Sequence, residues 1–157
     1  MEKKQQSLYQ VKIIIDTNII FSALLNTNGK IGDILFNSDH LFEFYSCNYM
    51  RYEIDKHWKK LKRISKLSDK DLEESAFKLF SKINFINEEL ISTKTWIAAS
   101  EIAKDIDIDD SDFIALTKYL KGYLWTGDKK LYNGLKEKNF KRIFNTSDIF
   151  KYRETES

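Results

Sequence analysis

Two aspartates stand where short apolar runs stop. Asp16 follows Val11-Lys12-Ile13-Ile14-Ile15, and Asp128 follows Tyr123-Leu124-Trp125-Thr126-Gly127. A third acidic group is denser: Asp105, Asp107, Asp109, Asp110 and Asp112 place five carboxylates in eight residues. A helix N-terminus stabilises one or two acids by about 0.3–1 kcal/mol each, but it does not hold a whole cluster of repelling anions together. A cation does. Carboxylate oxygens with no Cys or His beside them select a hard ion, Mg2+ or Mn2+, and an oxygen site with open water positions suits phosphodiester hydrolysis. Taken singly, each strand-end aspartate also reads as a helix N-cap, and the acidic run as a solvated turn. The coincidence of strand-end and helix-start acids favours a site.

The elements that must position these acids follow from periodicity. The β-branched run at 11–15 reads as a buried strand, with a helix from about Thr17 to Leu25 after it. Asn26-Thr27-Asn28-Gly29 is a turn, Ile31, Ile34 and Leu35 mark a second short helix, and Leu41 to Tyr45 alternates like a second strand. From Asn48 to Leu67, Met50, Ile54, Trp58, Leu61 and Ile64 recur at helical spacing, which predicts one long helix with a single apolar face. Ser68-Asp69 opens a helix with Leu72, Ala76, Leu79, Phe80 and Ile83 on its inner stripe, and Phe85-Ile86 is a brief strand. Helices are expected over Thr95–Ala103 and Asp109–Tyr119, then a strand over Tyr123–Thr126 and a helix from Asp128. Ile143-Phe144 is a last strand, and Thr146-Ser147-Asp148 caps a terminal turn. Strands separated by helices predict a parallel α/β sheet covered on both faces, and ligands of such sheets meet the carboxyl ends of the strands.

Composition sets outer limits. The 157 residues are the size of one domain, expected to span 1–157 with its core over about 11–150. Against 26 Lys+Arg stand 24 Asp+Glu, so no global charge excess announces a nucleic-acid or membrane partner. The single cysteine, Cys47, excludes an internal disulfide and a multi-cysteine zinc site, and is expected as a small buried apolar residue. No proline and only five glycines favour long helices with short polar turns. No apolar run is long enough to span a membrane, and Met1-Glu2-Lys3-Lys4-Gln5-Gln6 leads into no signal-peptide core, so a cytoplasmic protein is expected.

Three stretches carry a family resemblance: Ile13-Ile14-Ile15-Asp16-Thr17-Asn18, Asp109-Asp110-Ser111-Asp112-Phe113-Ile114-Ala115-Leu116, and Leu124-Trp125-Thr126-Gly127-Asp128-Lys129-Lys130-Leu131. In their order and spacing they resemble the sequence blocks of PIN-domain nucleases. The resemblance implies a three-layer α/β/α sandwich with a central parallel sheet of four to five strands. It also implies metal-dependent ribonuclease activity and, for a small free-standing member, a VapC-type toxin with a cognate antitoxin protein, working as a homodimer. Its acids fall on Asp16, Glu53, Asp110 and Asp128, Glu53 being the match in Tyr52-Glu53-Ile54 and Glu43, which lies in the second strand itself, a weaker competitor. Asn18 and Thr126 take the supporting polar positions, and Asp109 and Asp112 are neighbours of less certain part. The implied chemistry is in-line attack of water on an RNA phosphodiester, the four carboxylates holding one or two Mg2+ or Mn2+ ions. His57 lies one helical turn beyond Glu53, where a packing or exposed role is expected.

Two basic segments flank the acids. Lys56 to Lys66 carries six Lys/Arg and no acid, and Lys129 to Arg142 carries six against one Glu. Lys59, Lys60, Lys62, Arg63, Lys129 and Lys130 are candidate RNA phosphate contacts, though such segments equally read as solvated helix faces. Tyr49, Tyr52 and Trp58 are candidates for base stacking or for core and partner contacts. For the homodimer, the apolar residues of the first two helices, Ile19, Ile20, Leu24 and Ile34, are a candidate surface. A haloacid-dehalogenase-type phosphotransferase needs a second aspartate where Asn18 stands, and a receiver domain needs paired acids at the first strand and a phosphoacceptor after the third. The remaining rivals are an inactive PIN-fold module that binds RNA or protein and a housekeeping RNA-processing nuclease.

Overall fold

The structure, a computed structural model, describes residues 10–156. The amino-terminal segment read above as carrying no leader lies outside the described residues. Five strands form one parallel sheet: β1 (Val11–Ile15), β2 (Phe42–Cys47), β3 (Ile83–Ile86), β4 (Tyr123–Trp125) and β5 (Ile143–Phe144), in the order β3-β2-β1-β4-β5. Helices α1 (Thr17–Leu25) and α2 (Lys30–Asn37) follow β1; α3 (Tyr49–Lys56), α4 (Trp58–Ser65) and α5 (Asp69–Phe80) follow β2. Then come α6 (Thr93–Ala103), α7 (Ser111–Leu120), α8 (Lys129–Glu137) and α9 (Thr146–Glu156).

The apolar run of β1 makes it the centre of the sheet, and the alternation of side chains along a strand divides its core between two faces. Ile13 and Ile15 pack with α1, α2, α5 and Ile149 of α9, while Ile14 packs with Cys47, Leu124 and the apolar sides of α6, α7 and α8. The predicted three-layer α/β/α sandwich is therefore the observed fold. The chain winds outward from β1 in one direction through β2 and β3, then returns to β4 and β5 on its other side. The register Ile15↔Trp125 ends β1 and β4 together, so Asp16 and Thr126 emerge as neighbours at the reversal point of the strand order. Among the described residues, no helix is long and apolar enough to cross a membrane.

Several elements differ from expectation. The predicted helix over 48–67 is two helices, broken at His57 with φ −102° and ψ 14°. Both halves pack on α1, which one straight helix does not achieve, and the His57 ring meets Phe21 edge-on at 5.8 Å. Ile83 belongs to β3, not to the stripe of α5, because its pairing with Phe44 starts a ladder while still burying its side chain. A 3-10 turn over Ile108–Asp110 precedes α7, which starts only at Ser111. The terminal turn is an 11-residue helix, α9. Its Tyr152 ring lies 5.7 Å from Phe42, and Arg153 pairs with Asp33 at 2.6 Å.

Ile19, Ile20, Leu24 and Ile34 are 0–1% exposed, so they are core and form no dimer surface. Their helices turn these residues onto β1, whose own side chains are fully buried there. Cys47 is buried as expected, and burial pushes its thiol up to about 12.

Gly122 sets the approach of β4 to β1. A Cβ there stands 2.6 Å from the Lys12 carbonyl oxygen and 2.6 Å from Ile14 Cδ1, and the carbonyl belongs to backbone that cannot turn aside. Gly122→Ala is expected to cost about 1–3 kcal/mol. At about 2–4 °C per kcal/mol for a chain of this size, thermal melts show the fall in Tm directly. Gly127→Ala, whose Cβ meets nothing closer than 3.8 Å, leaves Tm close to wild type.

Candidate functional site

Asp16 is the residue after β1 and the N-cap of α1. Its Oδ1 accepts from the Ile19 N–H at 3.0 Å, and its Oδ2 accepts from the Thr126 hydroxyl at 2.6 Å. The end of β1 is itself fixed by Ser46, whose hydroxyl donates to the Ile15 carbonyl at 2.8 Å. Asp16 is only 4% exposed. Burial pushes its carboxyl up to about 6, aided by the charge of Asp128 and opposed by the hydrogen bonds from Thr126 and Ile19.

Asp128 caps α8 in the same way, its Oδ1 accepting from Lys130 N at 2.9 Å and Leu131 N at 3.3 Å. Its own backbone N–H donates to Thr126 Oγ1 at 3.1 Å. One buried hydroxyl thus joins both strand-end acids, giving its proton to Asp16 and receiving one from the Asp128 backbone. The cap and the site are not alternatives here: one oxygen of each carboxylate serves its helix, and both acids stand together at the strand ends.

Asp110 sits at the junction of the 3-10 turn and α7 and makes no capping bond. Burial pushes its carboxyl up to about 7, with further increments from Asp107, Asp16, Asp128 and Asp109. The charges of Asp16 and Asp128 therefore reach it, and these three acids form one group. Glu53 belongs to a second. Its Oε1 accepts from the Thr17 hydroxyl at 3.0 Å, and its charge, with that of Glu88, helps raise the carboxyl of Asp112 after burial has done most. Thr17, adjacent in the chain to Asp16, links the two groups. Asp109 is exposed, its backbone N–H donating to Asp107 Oδ1 at 3.0 Å.

Thr17, Ser46, Glu88 and Asp107 contribute to this region without having been singled out from the sequence. The Thr17 hydroxyl had a signal in its place between Asp16 and Asn18; Glu88 had none, because only the pairing of β2 with β3 brings it near. Asn18 is exposed on the first turn of α1. Lys59, Lys60, Lys62 and Arg63 are exposed on α4, with Lys62 paired to Asp69 at 2.9 Å, and Lys129 and Lys130 are exposed on the first turn of α8. Tyr49 and Tyr52 stack on each other at 5.7 Å and are exposed, whereas Trp58 packs against the core.

The donor set of carboxylates and hydroxyls, without thiolate or imidazole, fits a hard divalent cation. Burial does most to raise Asp16 and Asp110, and the neighbouring carboxylates add to it, a surplus of negative charge that such a cation relieves. Among the described residues, no three His, Cys, Asp or Glu side chains stand close enough together to hold a metal ion as they are placed.

The PIN-domain family model matches residues 14–147. The uncharacterized protein MJ1680 of Methanocaldococcus jannaschii is 31% identical over 157 aligned residues, covering 92% of this chain and 87% of that protein. Among solved structures, PAE2754 from Pyrobaculum aerophilum superposes with a TM-score of 0.65 at 10% identity, over 92% of this chain and 90% of that one. A chain of a toxin–antitoxin complex from Klebsiella pneumoniae gives 0.60 at 16%, covering 85% of this chain and 97% of its own. A chain of VapBC2 from Rickettsia felis, bound to a DNA fragment from their promoter, gives 0.50 at 14%, covering 85% and 98%. The chain belongs to the PIN-domain family, a family of nucleases.

The raised carboxyl of Asp110 has a consequence for stability in chelator. Its folded value, about 7, exceeds its ordinary 3.8, so the folded state holds the proton more tightly. Stability therefore falls as pH rises from about 4 to about 7. In EDTA at pH 8, Asp110→Asn is expected to be more stable than wild type. Discounted for partial solvent screening, the gain is about 1 kcal/mol, or about 2–4 °C in Tm. Melts repeated at pH 4 show the difference gone.

Proposed function

We propose that this PIN-domain chain is a Mg2+- or Mn2+-dependent endoribonuclease that hydrolyses RNA phosphodiester bonds, and that it is the toxin of a type II toxin–antitoxin pair. The observation that carries the nuclease reading is the electrostatic coupling of Asp110 to Asp16 and Asp128, across three separate elements, at the carboxyl edge of the sheet. Like charges gathered around the buried Asp16, with Asp110 and Asp128 half-buried beside it, are costly to a fold, and an inactive binding module has no use for them. The toxin reading is supported by likeness in fold to chains from the Klebsiella and Rickettsia toxin–antitoxin assemblies.

Asp16, Glu53, Asp110 and Asp128 are the residues that would hold the cation, with Asp112 beside Glu53. A bound divalent ion supplies acidification of water and neutralisation of charge on the transferring phosphoryl group. The chain supplies orientation. Thr126 fixes the Asp16 carboxylate through Oδ2, and Thr17 fixes Glu53 through Oε1, so neither acid has to be ordered when substrate arrives. Lys129 and Lys130 occupy the first turn of α8, where the helix dipole disfavours cations, and in this reading they contact phosphates flanking the scissile bond. Lys59, Lys60 and Arg63 offer the same on α4. No histidine is assigned a proton-transfer role, since His57 packs on Phe21.

Purified protein is expected to cut single-stranded RNA in Mg2+ or Mn2+ and to stop in EDTA. Asp16→Asn or Asp110→Asn, folded by circular dichroism, loses roughly 100-fold or more in rate. Thr126→Val, which removes only the orienting hydroxyl, loses about 10–100-fold. RNA left intact by wild type in both metals sinks the nuclease assignment. The toxin role is tested separately: expression arrests growth, and co-expression of a small protein encoded by the neighbouring reading frame restores it. Absence of both effects, with cutting retained, points to a housekeeping RNA-processing nuclease.

A further inference from the structure

Between α1 and α4 lies a cavity of about 270 Å3, of whose lining the proposed chemistry uses only Lys60. Its apolar walls are Phe21, Leu25, Leu61 and Ile64, and its polar groups are Asn18, His57 and Lys60. No acid lines it, although acids crowd the adjoining strand ends. Two walls run directly from the acidic site: Asn18 is two residues beyond Asp16 on the first turn of α1, and His57 is one turn beyond Glu53 at the α3–α4 break.

The volume is slightly below the roughly 300 Å3 at which drug-sized pockets begin, so one ring system fits and a longer ligand does not. The lining suits a flat heterocycle. His57 and Phe21 present aromatic surface, Leu25 and Ile64 present apolar surface that is 39% and 49% exposed, and Asn18 and His57 each bring donor and acceptor capacity. Within the described residues, no hydrogen bond or ion pair engages the Asn18 amide, the His57 ring nitrogens or the Lys60 ammonium. Lys60 at the rim, followed by exposed Arg63 on the same helix, gives the surroundings the charge that an anionic strand requires.

We infer that this cavity is a nucleobase subsite, which takes one unpaired base of the RNA strand next to the bond being cut while Lys60 contacts its phosphate. The inference rests on the ribonuclease reading, and it requires an unpaired base at this position, since a base held in a duplex stack cannot enter the cavity. It also gives the His57 break a purpose: the bend between α3 and α4 opens the space that a continuous helix leaves closed.

The test is binding of a short fluorescent single-stranded RNA in EDTA, compared with the same sequence as a duplex, together with KM and kcat in Mn2+. Wild type is expected to prefer the single strand. Lys60→Ala and Ile64→Glu, both at exposed positions and checked for folding by thermal melts, weaken it about tenfold. In the cutting assay they raise KM by a similar factor with kcat unchanged. Lys60→Ala also lowers the salt slope by about 0.7. Ile97→Glu, which adds the same charge on the exposed side of α6, behaves as wild type. Equal affinity for single strand and duplex overturns the assignment. So does unchanged RNA binding by both Lys60→Ala and Ile64→Glu, including the case in which they release only a protein partner. If the cavity variants lose binding while wild type never cuts RNA in either metal, the subsite stands and the nuclease reading falls.

Discussion

Like charges packed at the edge of a parallel sheet are the constraint around which this molecule is arranged. Asp16 is almost wholly buried, and Asp110 feels four other carboxylates in addition to its own burial. Left to themselves, such groups drive the strand ends apart or take up protons. The fold offsets this locally. Amide donors at the start of α1 and α8 each engage an aspartate oxygen, and the Thr126 hydroxyl lies between the two acids as a shared partner. Asp110 makes no such capping bond, and burial with its acidic neighbours pushes its carboxyl up to about 7.

Strand order makes the crowding possible. With β1 at the centre, β2 on one side and β4 on the other, the chain reverses its direction of winding where β1 and β4 finish level with each other. Two helices begin in the gap and bring their own N-terminal residues with them. The 3-10 turn before α7 delivers Asp110 to the same place, and the Thr17–Glu53 hydrogen bond draws α3 in beside it. The acids come from four elements, and the site exists only when all are docked.

Local signals reached the parts of this design that depend on neighbours in sequence. The isoleucine run ending at Asp16, the Thr-Gly-Asp stop after β4 and the Ser68 cap of α5 all declare themselves by spacing and residue type. The grouping of the acids does not. Asp112 keeps company with Glu53 and Glu88, while Asp110 faces Asp16 and Asp128, and this division depends on how α7 meets β1 and β2. The break at His57 was equally hidden, because Met50, Ile54, Trp58 and Leu61 keep helical spacing across it. Amphipathic reading also cannot tell which apolar residues face a partner. Ile19, Ile20, Leu24 and Ile34 are on the inside because the sheet they cover needs two helical layers.

The double duty of Asp16 and Asp128 has an evolutionary side. Each carboxylate satisfies a helix terminus through bonds that need no ion, unlike the ligands of small domains whose folding energy comes from the metal. Asparagine caps a helix about as well as aspartate, and the exchange is a single-base change in the gene. A lineage can therefore lose the chemistry at either position in one step while its helix caps survive. The same geometry that makes the site cheap to disarm lets the scaffold persist afterwards, open to recruitment for binding alone.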